Sequence, residues 1–444
     1  MAIKIGFVSL GCPKNLLDTE VMLGHLVDAG YEITADEKEA DIVIINTCAF
    51  IEDAKKESID NILDVAWLKK NKNLKKLIVT GCLAQRYQAE VLKEFPEVDA
   101  VLGTGSIHNI VRAVERVSND ERFSEFCDEN TVWLGGDRIV TTNNGYAYIK
   151  ISEGCNNRCT YCTIPYIRGK FRSRKMDDII KEAKELVDMG TKELIVIGQD
   201  TTSYGIDLYG EYSLPKLINR IANETNVEWI RILYCYPDKI TDELIDEFNR
   251  NDKLLKYIDI PVQHISQPVL KRMNRRGGEE AVRNSIKKLR DNVPGLVIRS
   301  TVIVGFPGET EEDFNKLCEF VKEVKFDHLG VFTYSREENT PAYDFANQVD
   351  EQTKQDRYDI LMQIQLEINE KKNKDKIGKK EKVLIESYDP VAEVYIARSE
   401  GDAPDIDGNI FVTAKKGTLN EGEFKVVKIE EALDYDLIGK VVEE

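Results

Sequence analysis

The sequence predicts an α/β protein built in two successive series and closed by a small all-β domain. Three observations predict it. Short apolar runs alternate with stretches of helical spacing through the first hundred residues, the alternation restarts near Tyr146, and from Glu381 the texture turns to short alternating strands and turns. Strands separated by helices of ordinary length imply parallel sheets with crossover helices. At roughly 150 residues per domain, a chain of 444 residues holds about three domains.

In the first series, Ile3 to Leu10 reads as a buried strand and Asn15 to Ala29 as a helix ended by Gly30. Asp41 to Asn46 is a second strand followed by a helix over Glu52 to Trp67. Leu77 to Thr80 is a third, followed by a helix over Leu83 to Phe95, and Ala100 to Leu102 is a fourth. These elements make an open parallel-sheet domain over residues 1–115. The mixed, charged stretch that follows reads as the end of a helix and a connector over 116–138. The second series, residues 139–376, has six strand candidates: AYIKIS, ELIVIG from Glu193, WIRILYC from Trp229, YIDIPVQ from Tyr257, VIRSTVIVGFP from Val297 and HLGVFTYS from His328. Helical stretches such as Met176 to Met189, Glu311 to Val324 and the long polar Asp350 to Lys376 lie between and after them. Six such units suggest a partial TIM-type α/β barrel, although a doubly wound sheet has the same local signals. KVLIES, AEVYIARS, NIFVTAK and EFKVVKIEEA then make a small all-β domain over 377–444.

Composition excludes several classes. With 42% apolar residues the chain is too hydrophobic to be disordered. No stretch approaches the ~18 uninterrupted apolar residues of a membrane span, and the start MAIKIGFVSLG has no signal-peptide pattern. The expected location is the cytoplasm, with no membrane partner. Lysine and arginine number 61 against 79 aspartate and glutamate, a net charge of −18, which argues against a protein that simply coats nucleic acid. Cytosolic thiols stay reduced, so the nine cysteines call for a metal or catalytic explanation rather than a disulfide one.

Cys155, Cys159 and Cys162 stand in GCNNRCTYC just past a strand. A tight loop can aim three thiolates at one iron–sulfur cubane, leaving one iron open to bind a substrate. A zinc site is the alternative, weakened by the lack of a nearby fourth Cys or His. Cys12, Cys48 and Cys82 are dispersed, yet each lies just past the carboxyl end of a strand and before the next helix. Those ends share one edge of a parallel sheet, where α/β folds bind ligands, so these thiolates can also converge on a cluster with an open iron. Each alone could be a small buried hydrophobe. Cys127, Cys235 and Cys318 share no arrangement and read as structural.

With Tyr161 before its last cysteine, the C-x-x-x-C-x-x-C run resembles the radical S-adenosylmethionine (SAM) superfamily. Two tri-cysteine clusters together resemble its methylthiotransferase family, through SLGCPKN, NTCAFIEDAKKES, GCLAQRY, SEGCNNRCTYCTIPYIRGKFRSR, IGQDTTSYGID, YIDIPVQHIS and STVIVGFPGET. The closing domain resembles the family's TRAM domain. The resemblance implies two 4Fe–4S clusters, one on Cys12, Cys48 and Cys82 and a SAM-chelating one on Cys155, Cys159 and Cys162, with no catalytic residue beyond them. It implies two SAM molecules, one giving a methyl group to cluster-held sulfur and one giving a 5′-deoxyadenosyl radical. It also implies an external electron donor and a sulfur donor, and two open irons facing one cavity.

Family members modify a tRNA adenosine or the β-carbon of an aspartate in ribosomal protein S-twelve. GCPKN, QDTTSYGID, DIPVQHIS and DAPDIDGNIF favour the protein branch, with the tRNA branch as the alternative. Residues 381–444 carry 16 acidic and 7 basic side chains, a net charge of −9, which repels phosphate and suits a basic ribosomal protein. A solvated acidic face is the plainer explanation. A non-catalytic iron–sulfur or ribosome-binding protein is a further alternative, and it would predict four-ligand clusters. The candidate SAM contacts are Tyr161, Arg172, Arg174, Gln199, Asp200 and Gly305. Arg172 and Arg174 belong to a basic run with Arg168, Lys170 and Lys175 that could hold the SAM carboxylate, touch ribosomal RNA or simply be solvated.

Overall fold

The computed structural model describes residues 3–128, 130, 135, 137–142 and 145–442. They divide into two compact units. The first comprises Met1–Thr141, Ser152–Arg174 and Ser335–Tyr343, and the second Thr142–Ile151, Lys175–Tyr334 and Asp344–Glu444.

In the first unit, strands β1 (Lys4–Ser9), β2 (Glu32–Thr34), β3 (Ile42–Thr47), β4 (Lys76–Gly81), β5 (Ala100–Leu102) and β6 (Phe123–Glu125) form one parallel sheet in the order β2-β1-β3-β4-β5-β6. β3 is buried throughout and β4 nearly so, as continuous apolar runs covered on both faces require. Helices α1 (Pro13–Asp28) and α5 (Ile110–Ser118) supply Met22, Leu26, Ile110, Val114 and Val117 to one core. Helix α2 (Glu52–Asn71) supplies Ile62, Val65 and Ala66 to the other. The single helix expected over Leu83 to Phe95 is two, α3 (Cys82–Tyr87) and α4 (Ala89–Glu94), because Gln88 takes a positive φ of 49° that ends the first. The strand order reverses beside β1, so β1 and β3 leave the sheet on either side of a topological switch point, where open α/β sheets form their binding crevice. The segment Ser152–Arg174 belongs to this unit. It is held at its base by the antiparallel pair β8 (Ser152–Glu153) and β9 (Arg172–Ser173), and contains the one-turn helix α6 (Ile164–Ile167).

The second unit contains β7 (Tyr146–Lys150), β10 (Glu193–Ile197), β11 (Trp229–Ile232), β12 (Leu254–Asp259), β13 (Val297–Val304) and β14 (His328–Thr333). All are parallel and lie side by side in chain order. That unreversed order separates a barrel from a doubly wound sheet. The sheet does not close, so the barrel is partial. The connecting helices are α7 (Met176–Asp188), α8 (Leu214–Glu224), α9 (Asp242–Arg250), α10 (Gln267–Arg272), α11 (Gly278–Asn292) and α12 (Glu311–Val324), and α13 (Glu351–Lys374) follows the last strand.

The closing domain is a five-stranded barrel of β15 (Lys380–Asp389), β16 (Val394–Ser399), β17 (Ile410–Thr413), β18 (Phe424–Ala432) and β19 (Leu437–Val441). Four strands were legible in the sequence pattern. The fifth, LIGKV, pairs with both β17 and β18 and closes it. This barrel seats on the amino-terminal ends of the larger barrel's strands. Glu193, opening β10, accepts from Arg231 Nε at 2.6 Å and from Arg398 Nη2 at 2.8 Å, with all three side chains fully buried. Arg398 also donates to Glu386, and Trp229 meets Phe424 edge-on with ring centroids 4.6 Å apart. The acidic word DAPDIDGNIF lies in this seat. Tyr257 donates to Asp407 at 2.6 Å, Arg299 stands 3.3 Å from the same carboxylate, and Asp402 faces His328 at 3.5 Å. These side chains are therefore internal counter-charges and not the partner-facing surface their sequence suggested. Asp405 of the same word is exposed, as are Glu400, Glu421, Glu430 and Asp434.

Burial alone would raise the Glu193 carboxyl, but the two guanidiniums hold it below its ordinary 4.5. A carboxyl depressed on folding stabilises fully above its unfolded value and loses that contribution as pH falls through its folded one. The seat is therefore complete at neutral pH and fails in acid. Glu193→Ala leaves Arg231 and Arg398 without their shared carboxylate and should cost about 3–5 kcal/mol. Denaturant unfolding at pH 7, followed by intrinsic fluorescence, checks this, and an unchanged midpoint would refute it.

Candidate metal centre

The carboxyl ends of three adjacent strands carry the dispersed cysteines. Cys12 follows β1 and is the N-cap of α1, Cys48 directly follows β3, and Cys82 directly follows β4 and opens α3. Two glycines make this possible. Gly11 has φ +86° and Gly81 φ +93°, both in the left-handed region that side chains avoid. A Cβ on Gly11 would lie 2.7 Å from Cys48 Cβ and 2.8 Å from its Sγ, so the first loop passes directly against the second cysteine. A Cβ on Gly81 would strike Asn46 and the backbone of Thr47.

Buried polar groups fix these loops. Asn15 Nδ2 donates to Leu10 O at 2.7 Å, and Asn46 Nδ2 donates to Asn15 O at 2.8 Å and to Thr19 Oγ1 at 2.9 Å. Ser58, on α2, accepts from the Cys48 amide at 3.0 Å and donates to the Cys48 carbonyl at 2.8 Å. Two of the thiols, Cys48 and Cys82, are shifted by their surroundings. Burial raises the Cys48 thiol, and the neighbouring Cys12 adds to the rise. Burial pushes the Cys82 thiol up to about 12, with Cys48 and Cys12 again contributing and Arg168 opposing. Thiols so placed stay protonated until a metal takes the proton's place.

The second cysteine run lies in the same unit. Cys155, Cys159 and Cys162 are partly buried. The Cys155 amide donates to Gly169 O at 3.2 Å and the Cys162 amide to Cys159 O at 3.0 Å, which folds the run into a compact loop. Among the described residues, no three His, Cys, Asp or Glu side chains are gathered to hold a single ion. A cubane asks for a wider set, since each thiolate reaches a different iron. Two all-thiolate sets of three, with no fourth protein ligand in either motif, fit clusters better than closed zinc sites.

Arg168 joins the two regions. It caps α6, six residues past Cys162, and is 4% exposed. Its guanidinium pairs with Asp18, lies 3.5 Å from Glu153, and donates from Nη2 to Asn15 Oδ1 at 3.1 Å and to Cys82 Sγ at 3.5 Å. Burial alone would discourage this charge, but the Asp18 and Glu153 carboxylates hold it firmly protonated. The basic run is thus not one solvated face: Arg168 and Arg174 are buried, while Lys170 and Lys175 are exposed. Nothing in the sequence marked Arg168 apart from its neighbours.

The segment Ser335–Tyr343 completes this unit. Glu337, 2% exposed, takes Arg86 Nη1 at 2.7 Å and Lys55 Nζ at 3.1 Å, and Ala342 donates its amide to the carbonyl of Thr160 inside the cysteine loop. Arg86 also donates to Ala49 O beside Cys48.

The remaining candidates divide between the units. In the first, Tyr161 is partly buried within the cysteine loop, Arg172 donates to Asn130 Oδ1 and Lys170 O, and the Arg174 guanidinium lies against Gly135. In the second, Gln199 and Asp200 lie just past the carboxyl end of β10. Asp200 caps the turn Thr201–Ser203, accepts from Thr202, and pairs with Lys239. Gly305, with φ +72°, leaves room for the Lys354 side chain of α13, so its close approach is to the protein itself. His264, fully buried, accepts from the Ser266 amide at 2.9 Å. Of the other cysteines, Cys235 and Cys318 are buried and Cys127 lies 3.8 Å from Asn109 Nδ2.

Three regions match known families. Residues 4–103 match Uncharacterized protein family UPF0004, residues 149–321 the Radical SAM superfamily, and residues 377–442 the TRAM domain. Curated relatives match over the whole length. The protein named ribosomal protein uS12 methylthiotransferase RimO from Acetivibrio thermocellus is 49% identical, over 99% of each chain. Its namesake from Clostridioides difficile is 50% identical, over 100% of this chain and 99% of that one. Among solved structures, the radical S-adenosylmethionine methyltransferase TsrM from Kitasatospora setae, with cobalamin and a 4Fe–4S cluster bound, aligns at a TM-score of 0.56 and 12% identity, covering 77% of this chain and 74% of that one. The cobalamin-dependent radical enzyme OxsB aligns at 0.51 and 13% identity, over 83% and 56%. Both likenesses concern the fold.

Arg168→Met should destabilise the protein by about 3–5 kcal/mol, because Asp18 and Glu153 are then buried without their cation. Adding Asp18→Asn should recover part of that loss, and a double-mutant cycle in denaturant measures the coupling. Strictly additive losses would show that Arg168 does not organise these groups.

Proposed function

The chain belongs to the RimO family of radical SAM methylthiotransferases, and from that premise we propose that it attaches a methylthio group to the β-carbon of an aspartate in ribosomal protein uS12. It is a radical SAM enzyme whose cofactors are two 4Fe–4S clusters and S-adenosylmethionine. The observation that carries the site assignment is the placement of two all-thiolate triads in one compact unit, one at the switch point of its sheet.

When bound, the clusters and SAM supply the one-electron chemistry that an unactivated C–H bond requires and acid–base groups do not provide. The protein's share is to hold and insulate. We assign Cys12, Cys48 and Cys82 to one cluster and Cys155, Cys159 and Cys162 to the SAM-chelating one. Arg168 fixes Cys82 and supplies a buried positive charge beside thiolate ligands, one of the levers that set a cluster's properties. Tyr161, Arg172, Arg174, Gln199, Asp200 and Gly305 are the candidate SAM contacts. We retain 1–115, 139–376 and 377–444 as the functional segments, joined by the connector 116–138. An external electron donor and a sulfur donor complete the reaction. Among the described residues no helix is long and apolar enough to cross a membrane, and a ribosomal substrate places the work in the cytoplasm.

Two measurements test this reading. Anaerobically reconstituted protein should hold about eight irons per chain, falling to about four when Cys12, Cys48 and Cys82 are all changed to Ala. About four irons in the unaltered protein would remove one cluster. With SAM, reductant and sulfide, a uS12 peptide should gain one methylthio group by mass spectrometry. The triple Ala variant should lose that product and keep cleaving SAM. A gain on unmodified tRNA and none on the peptide would replace the substrate.

A further inference from the structure

Helix α2 carries two apolar faces where a surface helix has one. Ile62, Val65 and Ala66 point into the core. Ile59, Leu63 and Trp67, spaced four apart, form a second row on the outside, and they are 37%, 51% and 53% exposed. Beside this row runs an acidic one. Asp53, Glu57, Asp60 and Asp64 recur at intervals of four, three and four, all exposed, and they outnumber the exposed Lys56 on the same face and Lys72, whose Nζ lies 6.0 Å from the Trp67 ring centroid. Single exposed apolar residues need no explanation, but a contiguous row with a polar border marks an interaction site. Trp67 is the kind of large, rigid side chain that anchors such contacts. The helix begins four residues past Cys48, and its Ser58 grips the Cys48 backbone.

We infer that the outer face of α2 is a docking surface for the body of the ribosomal protein substrate. This rests on the reading of the substrate as uS12. An RNA-binding protein is itself basic, and charge complementarity selects it: an apolar stripe with a four-carboxylate border attracts a cationic chain that carries apolar residues, and repels RNA phosphate. The small acceptor aspartate cannot supply much recognition, so affinity for the whole protein has to come from a surface away from the reacting atoms.

The test uses the reconstituted full-length enzyme, fluorescently labelled intact uS12, and a short peptide spanning the acceptor aspartate. Leu63→Ser with Trp67→Ser should weaken binding of intact uS12 by about tenfold or more. Asp60→Lys with Asp64→Lys should weaken it most at low salt, and the difference should shrink as salt rises. Both variants should turn over the short peptide with unchanged kcat, which shows that they fold and load clusters. Intact uS12 should show a raised KM. Wild-type affinity and KM for intact uS12 in both variants would overturn the proposal. Dissociation of a wild-type dimer by the same changes, seen by sedimentation, would also overturn it, because the face would then serve a second copy. Failure of the unaltered enzyme to bind or modify uS12 at all would instead sink the substrate reading, independently of α2.

Discussion

Arg168 carries its charge into the interior of the first unit, and the groups around it are arranged to tolerate that charge. A lone guanidinium could not remain there. Asn15 and Asp18 from α1, Glu153 from the strand before the cysteine loop and the Cys82 thiol all meet it. These partners come from parts of the chain far apart in sequence, so the charge can be satisfied only when the sheet and the cysteine loop are both in place. The need to neutralise one buried cation thereby sets the position of the loop against the sheet. Hydrophobic contact alone would leave that position loosely specified, as Ile167 beside it in the apolar core offers area but little direction.

The same logic recurs in the second unit. Glu193 is shared by Arg231 and Arg398, and Asp407 by Tyr257 and Arg299. In both places an ion cluster adds direction to apolar contacts such as Trp229 against Phe424. This accounts for part of the acidity concentrated in residues 381–444. Some of those carboxylates are structural counter-ions, so net charge overstates what the surface presents. The exposed remainder is still acidic, which keeps it a poor platform for RNA.

The legible parts of the fold were those with a period long enough to read. DIVIIN and LIVT are continuous apolar runs and became the fully covered β3 and β4. β2 and β6 have three residues each, too few to show a period, and Gly439 in the middle of β19 hides its alternation. The helix break at Gln88 lacks glycine or proline to announce it. For the site, the position of each dispersed cysteine one step past a strand was readable, because strand ends of a parallel sheet share an edge. The role of Arg168 was not, since an arginine among four other basic residues looks solvent-facing. Its partners Asp18 and Glu153 lie 150 and 15 positions away, and no local pattern links them to it.

The first unit is assembled from three separate stretches of chain, the last of them Ser335–Tyr343. Glu337 in that stretch is the carboxylate that Lys55 and Arg86 require, and Ala342 closes onto the cysteine loop. During synthesis, then, all six cysteines of the two triads emerge long before the residues that complete their surroundings. The amino-terminal sheet is translated first and finished late, only after residue 343 has left the ribosome. The frame around the cysteine loops is therefore complete only when three-quarters of the chain exists.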